Sequence, residues 1–180
     1  MTRNDDERRE KIAETILRQG ELKLGAQLSL ATSADLRAAT LTAIFSAVAI
    51  ALFSGAAAIL FAGNQDLKLA IGAGVSGVLY GVGAYLCALA CQPTDFYTVG
   101  NQPERWLNDA AMDKEPVDTF LKEAQNYQRG ILANRQAIRR NGERLKWALR
   151  IAWVSPFIGL SFLVFLALYE AARAYLEASL

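Results

Sequence analysis

The side chains best suited to chemistry in this chain are its arginines. Arg135, Arg139, Arg140, Arg144, Lys146 and Arg150 fall within sixteen residues, and Glu143 is the one acid among them. Such a cluster can hold phosphate groups of lipids, of a nucleotide or of an oligonucleotide, because the guanidinium fork matches phosphate geometry. It also fits a plain positive anchor on an anionic membrane surface. Arg105-Trp106 could add a stacking platform for a base. Cys87 and Cys91 are the only cysteines, four residues apart in an apolar stretch, and there is no histidine. Histidine-based nucleophile activation and histidine-ligated metals are therefore excluded, and two cysteines on one helical face suit packing better than a zinc site needing four ligands. The carboxylates Asp95, Asp109, Asp113, Asp118 and Glu123 show neither metal-type spacing nor an accompanying phosphate loop or nucleophile. No enzyme and no cofactor are expected.

The elements that must position these residues follow from hydropathy. Of 180 residues, 53% are hydrophobic and 21% charged, but the charges are segregated. Ala38 to Gly63 and Leu69 to Thr94 are each 26 residues without a charge, and Ile151 to Tyr169 is 19. At about 1.5 Å per residue each matches or approaches the thickness of a hydrocarbon core. The expected fold is an all-α membrane protein with three transmembrane helices, a long cytoplasmic coiled-coil-like helix and an N-terminal amphipathic helix. Its expected segments are a helix in 1–37, a two-span hairpin in 38–94 with a turn at 64–68, a soluble segment 95–150, a third span 151–169 and a tail 170–180. A signal peptide is not expected, because the first apolar run starts late and is too long for one. Seventeen of the 19 Lys and Arg residues lie in 1–37 and 95–150. The positive-inside rule then places the N-terminus and 95–150 in the cytoplasm and the C-terminus outside.

No ionisable residue lies within a span, which disfavours proton relays and ion-coupled transport. The second span carries small residues at Ala70, Gly74, Gly77, Gly81, Ala84 and Ala88, and the first at Ala43, Ala47, Ala51, Ser54, Ala58 and Ala62. These stripes allow close helix approach, either to each other inside a subunit or between subunits. The third span is built of large residues and reads as lipid-facing, with Trp153 and Tyr169 as interfacial anchors and a kink expected at Pro156. In the soluble part a short helical stretch is expected around Glu104 to Ala111, and Pro116 opens a long helix. That helix carries Val117, Ala124, Ile131, Ile138 and Leu145 at one heptad position and Phe120, Tyr127, Asn134, Asn141 and Ala148 three residues later. The pattern predicts a coiled-coil seam. Asn134 and Asn141 either pair across subunits there or face water or the N-terminal helix. The latter presents Ala13, Leu17, Gly20, Leu24, Leu28 and Ala31 on one face and is the obvious partner for the long helix.

The N-terminal helix, the minimal hairpin and the pattern Tyr127-xxx-Ile131-xx-Asn134-xxx-Ile138-xx-Asn141-xxx-Leu145-Lys146 resemble the SLATT-type membrane effectors of bacterial antiphage systems. In that family the protein is encoded beside a nucleotide-generating enzyme and is thought to assemble into a membrane pore. The resemblance implies a homo-oligomeric channel in the lipid bilayer, gated by a nucleotide or oligonucleotide or by a partner such as a nucleotidyltransferase. Thr42, Ser46, Ser54 and Ser76 are the expected pore-lining residues, and Gly74, Gly77, Gly81, Ala84, Asn134 and Asn141 the expected packing and oligomerisation residues. The reading from a different class is a non-conducting membrane scaffold that recruits a soluble partner through its coiled coil.

Overall fold

The computed structural model describes residues 3–62, 66–100 and 115–178, with side chains from Glu7 onward. It is helical, with no strand among the described residues. Helix α1 runs Arg3–Phe61, α2 Leu67–Ala90 and α3 Pro116–Ala178, and all three are long and apolar enough to cross a membrane. Two compact units form, one from Met1–Ala34 with Pro93–Arg140 and the other from Asp35–Gln92 with Asn141–Leu180.

The sequence suggested an N-terminal helix followed by a separate span, but α1 is one helix of 59 residues. No proline occurs in it, and its glycines at positions 20, 25 and 55 weaken the helix by up to about 1 kcal/mol each without stopping it. Likewise α3 continues through Pro156 for 63 residues. Proline there forfeits one backbone hydrogen bond, a loss that flanking turns tolerate in apolar surroundings where neighbouring helices support the chain. Of the expected turn 64–68, Leu67 and Lys68 already belong to α2, with Asp66 at its N-cap, and positions 64 and 65 lie outside the described residues. The stretch Glu104 to Ala111, Arg105-Trp106, Asp109 and Asp113 also lie outside them. The tail after Tyr169 is helical to Ala178.

In the first unit α1 and α3 run parallel. Leu24, Tyr127 and Ile131 form the buried cluster, with Leu17 packed against it. Burying a side chain of that size contributes about 1.5–3 kcal/mol. Gly20 admits the Tyr127 ring, since a Cβ there would stand 3.2 Å from Cδ2. In the second unit α2 is antiparallel to both other helices, and the core is Phe45, Ala84, Cys87, Ala148 and Ala152.

Candidate functional site

Two sets of contacts fix the helices, and they use different chemistry. In the first unit the central lock is Asn134, which is 1% exposed. Its Oδ1 accepts from the Tyr97 N–H at 2.9 Å and its Nδ2 donates to the Tyr97 carbonyl, also at 2.9 Å. An Asn side chain facing one residue's amide and carbonyl satisfies both in the manner of a sheet pair. Asn134 thus finds its partner in the irregular segment before Gly100, neither in a second subunit nor in the N-terminal helix. Gly130 makes room for that segment, because a Cβ on it would lie 2.8 Å from the Tyr97 Cβ. Gln27 Nε2 adds a bond to the Ile131 carbonyl at 3.2 Å.

The other heptad positions are occupied inside the single chain as well. Ile131, Tyr127 and Ala148 are buried, and Val117, Phe120, Ala124, Ile138, Asn141 and Leu145 are half-buried. Asn141 lacks the compensation Asn134 has, since its Oδ1 is buried with no partner among the described residues. Of the predicted face of α1, Ala13, Leu24 and Ala31 are buried, Leu17 and Gly20 half-buried and Leu28 exposed.

Beside Asn134 lies a notch of about 300 Å³ bounded by Leu24, Thr98, Glu123, Asn126 and Tyr127. Asn126 Nδ2 donates to Glu123 Oε2 at 3.2 Å, and the Tyr127 hydroxyl points to Glu21 Oε1 at 3.5 Å. Burial pushes the Tyr127 phenol above its usual value, a main-chain hydrogen bond at Gly100 pulls it down, and the Glu123 and Glu21 carboxylates push it up. Among the described residues no group of three His, Cys, Asp or Glu side chains could hold a metal ion.

The second unit is held by small residues. Ser155 Oγ donates to the Ser76 carbonyl at 3.0 Å and Ser76 Oγ to the Ser155 carbonyl at 3.3 Å. A Cβ on Gly159 would collide with Ser76 Oγ and come within 2.9 Å of the Gly72 carbonyl, and one on Gly72 would meet the Gly159 carbonyl at 3.2 Å. Gly83 packs against Phe45 and the Ala148 carbonyl, and Gly77 against the Phe53 ring. The close face of α3 is therefore Ala148, Ala152, Ser155 and Gly159, at steps of 4, 3 and 4, within a span that the sequence presented as large-sided. Ile151, Leu163 and Leu166 are half-buried, Leu163 against Gly72, and the other large residues of that span are exposed, as with Trp153, Phe157, Leu160 and Phe165.

Of the small stripe predicted on α2, Ala70, Gly77 and Ala84 are buried, whereas Gly74 and Gly81 have nothing within 4 Å of an added Cβ and Ala88 is exposed. Gly72, Ser76 and Gly83 were missed because α2 is packed on two sides, so its buried arc is wider than one stripe. On α1 the predicted small face does not meet α2. Ala43, Ala47, Ala51, Ser54, Ala58 and Ala62 are all exposed, whereas Ala38, Phe45, Ala49 and Ala56 are buried, and Phe45 and Phe53 meet Gly83 and Gly77 of α2.

The four hydroxyls assigned to a pore separate. Ser76 lies at a helix contact, where its hydroxyl donates to the Ser155 carbonyl inside the subunit. Thr42 back-bonds to the Ala38 carbonyl at 2.8 Å, Ser46 is half-buried and Ser54 is exposed. The basic residues separate too. Arg135, Arg139 and Arg140 are exposed in the first unit. In the second, Arg144 donates to the Leu89 carbonyl at 2.8 Å and caps the last turn of α2, where unpaired carbonyls and the helix dipole both favour a cation. Lys146 lies 3.8 Å from Glu143, and the Arg150 guanidinium sits over the Trp147 ring at 5.1 Å from its centroid. At the other end of α2, Lys68 pairs with Glu170. No protein-family model matches the chain, and no curated protein or solved structure is significantly similar to it.

Proposed function

We propose that this chain is the subunit of a homo-oligomeric pore in a bacterial inner membrane, an effector of the SLATT type in antiphage defence. Its three long helices each cross the bilayer once, with the N-terminus and the coiled-coil-like pairing of α1 and α3 in the cytoplasm and the C-terminus outside. Gating belongs to the cytoplasmic helices, through a nucleotide or oligonucleotide, or a partner protein such as a nucleotidyltransferase. The observation that supports this reading best is the exposed small-residue face of α1, from Ala43 through Ala47, Ala51, Ser54 and Ala58 to Ala62. In lipid there is no hydrophobic force between helices, and close approach over small residues supplies the dispersion contacts that bring them together. Among the described residues that face is left exposed, so a second subunit is its natural occupant. The open positions Gly74 and Gly81 on α2 extend the same logic. A ring built this way has an uncharged wall, since no ionisable residue lies within a span, which suits a weakly selective, dewetting constriction.

The test is ion flux from liposomes, paired with disulfide trapping of Ala47→Cys in a chain whose own cysteines are replaced by alanine. Trapped oligomers and flux are expected together, and Ala47→Leu with Ala51→Leu should lose both. Undiminished flux from the leucine variant would overturn this face as the contact between subunits. An intact oligomer that never conducts would instead support a scaffold that recruits a soluble partner.

A further inference from the structure

We propose that the first turns of the apolar part of α3 hold one anionic phospholipid, with its phosphate on Lys146 and Arg150 and an acyl chain in the cleft between α1 and α3. Two clefts flank Leu149 and Trp153. One, of about 400 Å³, is walled by Leu41 and Phe45 of α1 and by Ala152 and Pro156 of α3, with Tyr80 of α2 behind them. The other, of about 520 Å³, follows α3 from Gly142 to Val154 and has Lys146 and Arg150 on its edge. Both have reasons in the sequence, since Gly142, Ala152 and Pro156 contribute little side chain where a larger residue would fill the space.

The linings decide the occupant. They are apolar, so the sugar and base of a free nucleotide would lose hydrogen bonds there without replacement, whereas an acyl chain loses none. The charges border the cleft along Gly142 to Val154, while the one toward Pro156 has none, which suits a headgroup in the first and an acyl chain in the second. Arg150 is held at that edge by the Trp147 face, and a lysine beside an arginine offers a phosphate both a point charge and a fork. Trp153, 75% exposed next to both clefts, is an interfacial ring of the kind that marks headgroup level. Arg144 is excluded because it caps α2. The inference rests on α3 crossing the membrane and is independent of conduction.

Brominated lipids test it, because bromine quenches only tryptophans it touches. Full-length protein carrying Trp106→Phe, which leaves Trp147 and Trp153 as reporters, is reconstituted in phosphatidylcholine vesicles. A minor fraction of the lipid is brominated phosphatidylglycerol or, in parallel, brominated phosphatidylcholine. The anionic lipid should quench at roughly tenfold lower mole fraction, the scale expected of two basic groups at a membrane surface. Lys146→Gln with Arg150→Gln should bring the two lipids to parity, and either single substitution of these exposed heads should lose part of the preference. Arg150→Lys should keep most of it. Arg139→Gln with Arg140→Gln removes the same charge away from the clefts and should keep all of it. Equal quenching by the two lipids, or equal loss in that control pair, would overturn the site. Displacement by excess inorganic phosphate would overturn the lipid as its occupant in favour of a free anion.

Discussion

The two units solve helix association in opposite ways. The first buries large side chains, Leu24, Tyr127 and Ile131, and locks them with an asparagine clasping a main-chain segment. The second buries one large side chain, Phe45, brings backbones together over Gly72, Ser76, Ser155 and Gly159, and leaves most of its large side chains on the outside. The difference matches the solvents proposed for the two units, water for the first and lipid for the second. Water rewards burial of area, so large residues go inside. Lipid gives no such reward, so packing distance becomes the remaining source of attraction and large residues are free to face outward.

The largest effect should come from growth at the closest contact. Gly159→Leu drives a branched side chain into Ser76 and the Gly72 backbone, and should cost about 3 kcal/mol or more, read as a fall in the thermal transition of the detergent-solubilised protein. An unchanged transition would break the contrast at once. Next comes Asn134→Ala, which strands the Tyr97 N–H and carbonyl and should cost about 2 kcal/mol in the first unit, with faster hydrogen exchange at the Tyr97 amide. Ser155→Ala should cost only about 0.6 kcal/mol, since hydrogen bonds between helices in lipid are modest, and the same thermal measurement applies. A loss as large as that of Gly159→Leu would mean the serines, not the close approach, hold α2 to α3.

Smallest at neutral pH is Tyr127→Phe. The folded-state phenol titrates above the unfolded value of about 10, so the fold favours its protonated form. That contribution is fully present below the unfolded value and is lost as pH rises through the folded one. The wild type should therefore lose stability in the first unit above about pH 10, and the phenylalanine variant should lose less, as followed by circular dichroism.

Legibility in the sequence followed side-chain size and locality. The named positions from Val117 to Ala148 are all buried or half-buried, and those from Ala13 to Ala31 are too except Leu28, because apolar residues at helical spacing leave few alternatives. The three charge-free runs were readable for the same reason. What could not be read was the Tyr97 partner of Asn134, because it is main chain in an irregular segment and main chain has no sequence signature. The α2–α3 contact was hidden differently. Its small residues on α3 were masked by bulky neighbours, although the steps of 4, 3 and 4 from Ala148 to Gly159 were present to be counted. The union of the N-terminal helix with the first span escaped notice because Asp35 and Arg37 suggested a boundary, while charged residues on a half-exposed face do nothing to stop a helix.

The serine and glycine contact between α2 and α3 also bears on descent. Most outward positions of these helices accept any apolar residue, so over time their order erodes while their composition persists. Gly72, Ser76, Ser155 and Gly159 can drift little, because a Cβ on either glycine meets the facing helix and both serines are buried. A distant homologue would therefore be recognised less by overall similarity than by one small pair four residues apart on each of two helices, facing one another in opposite directions.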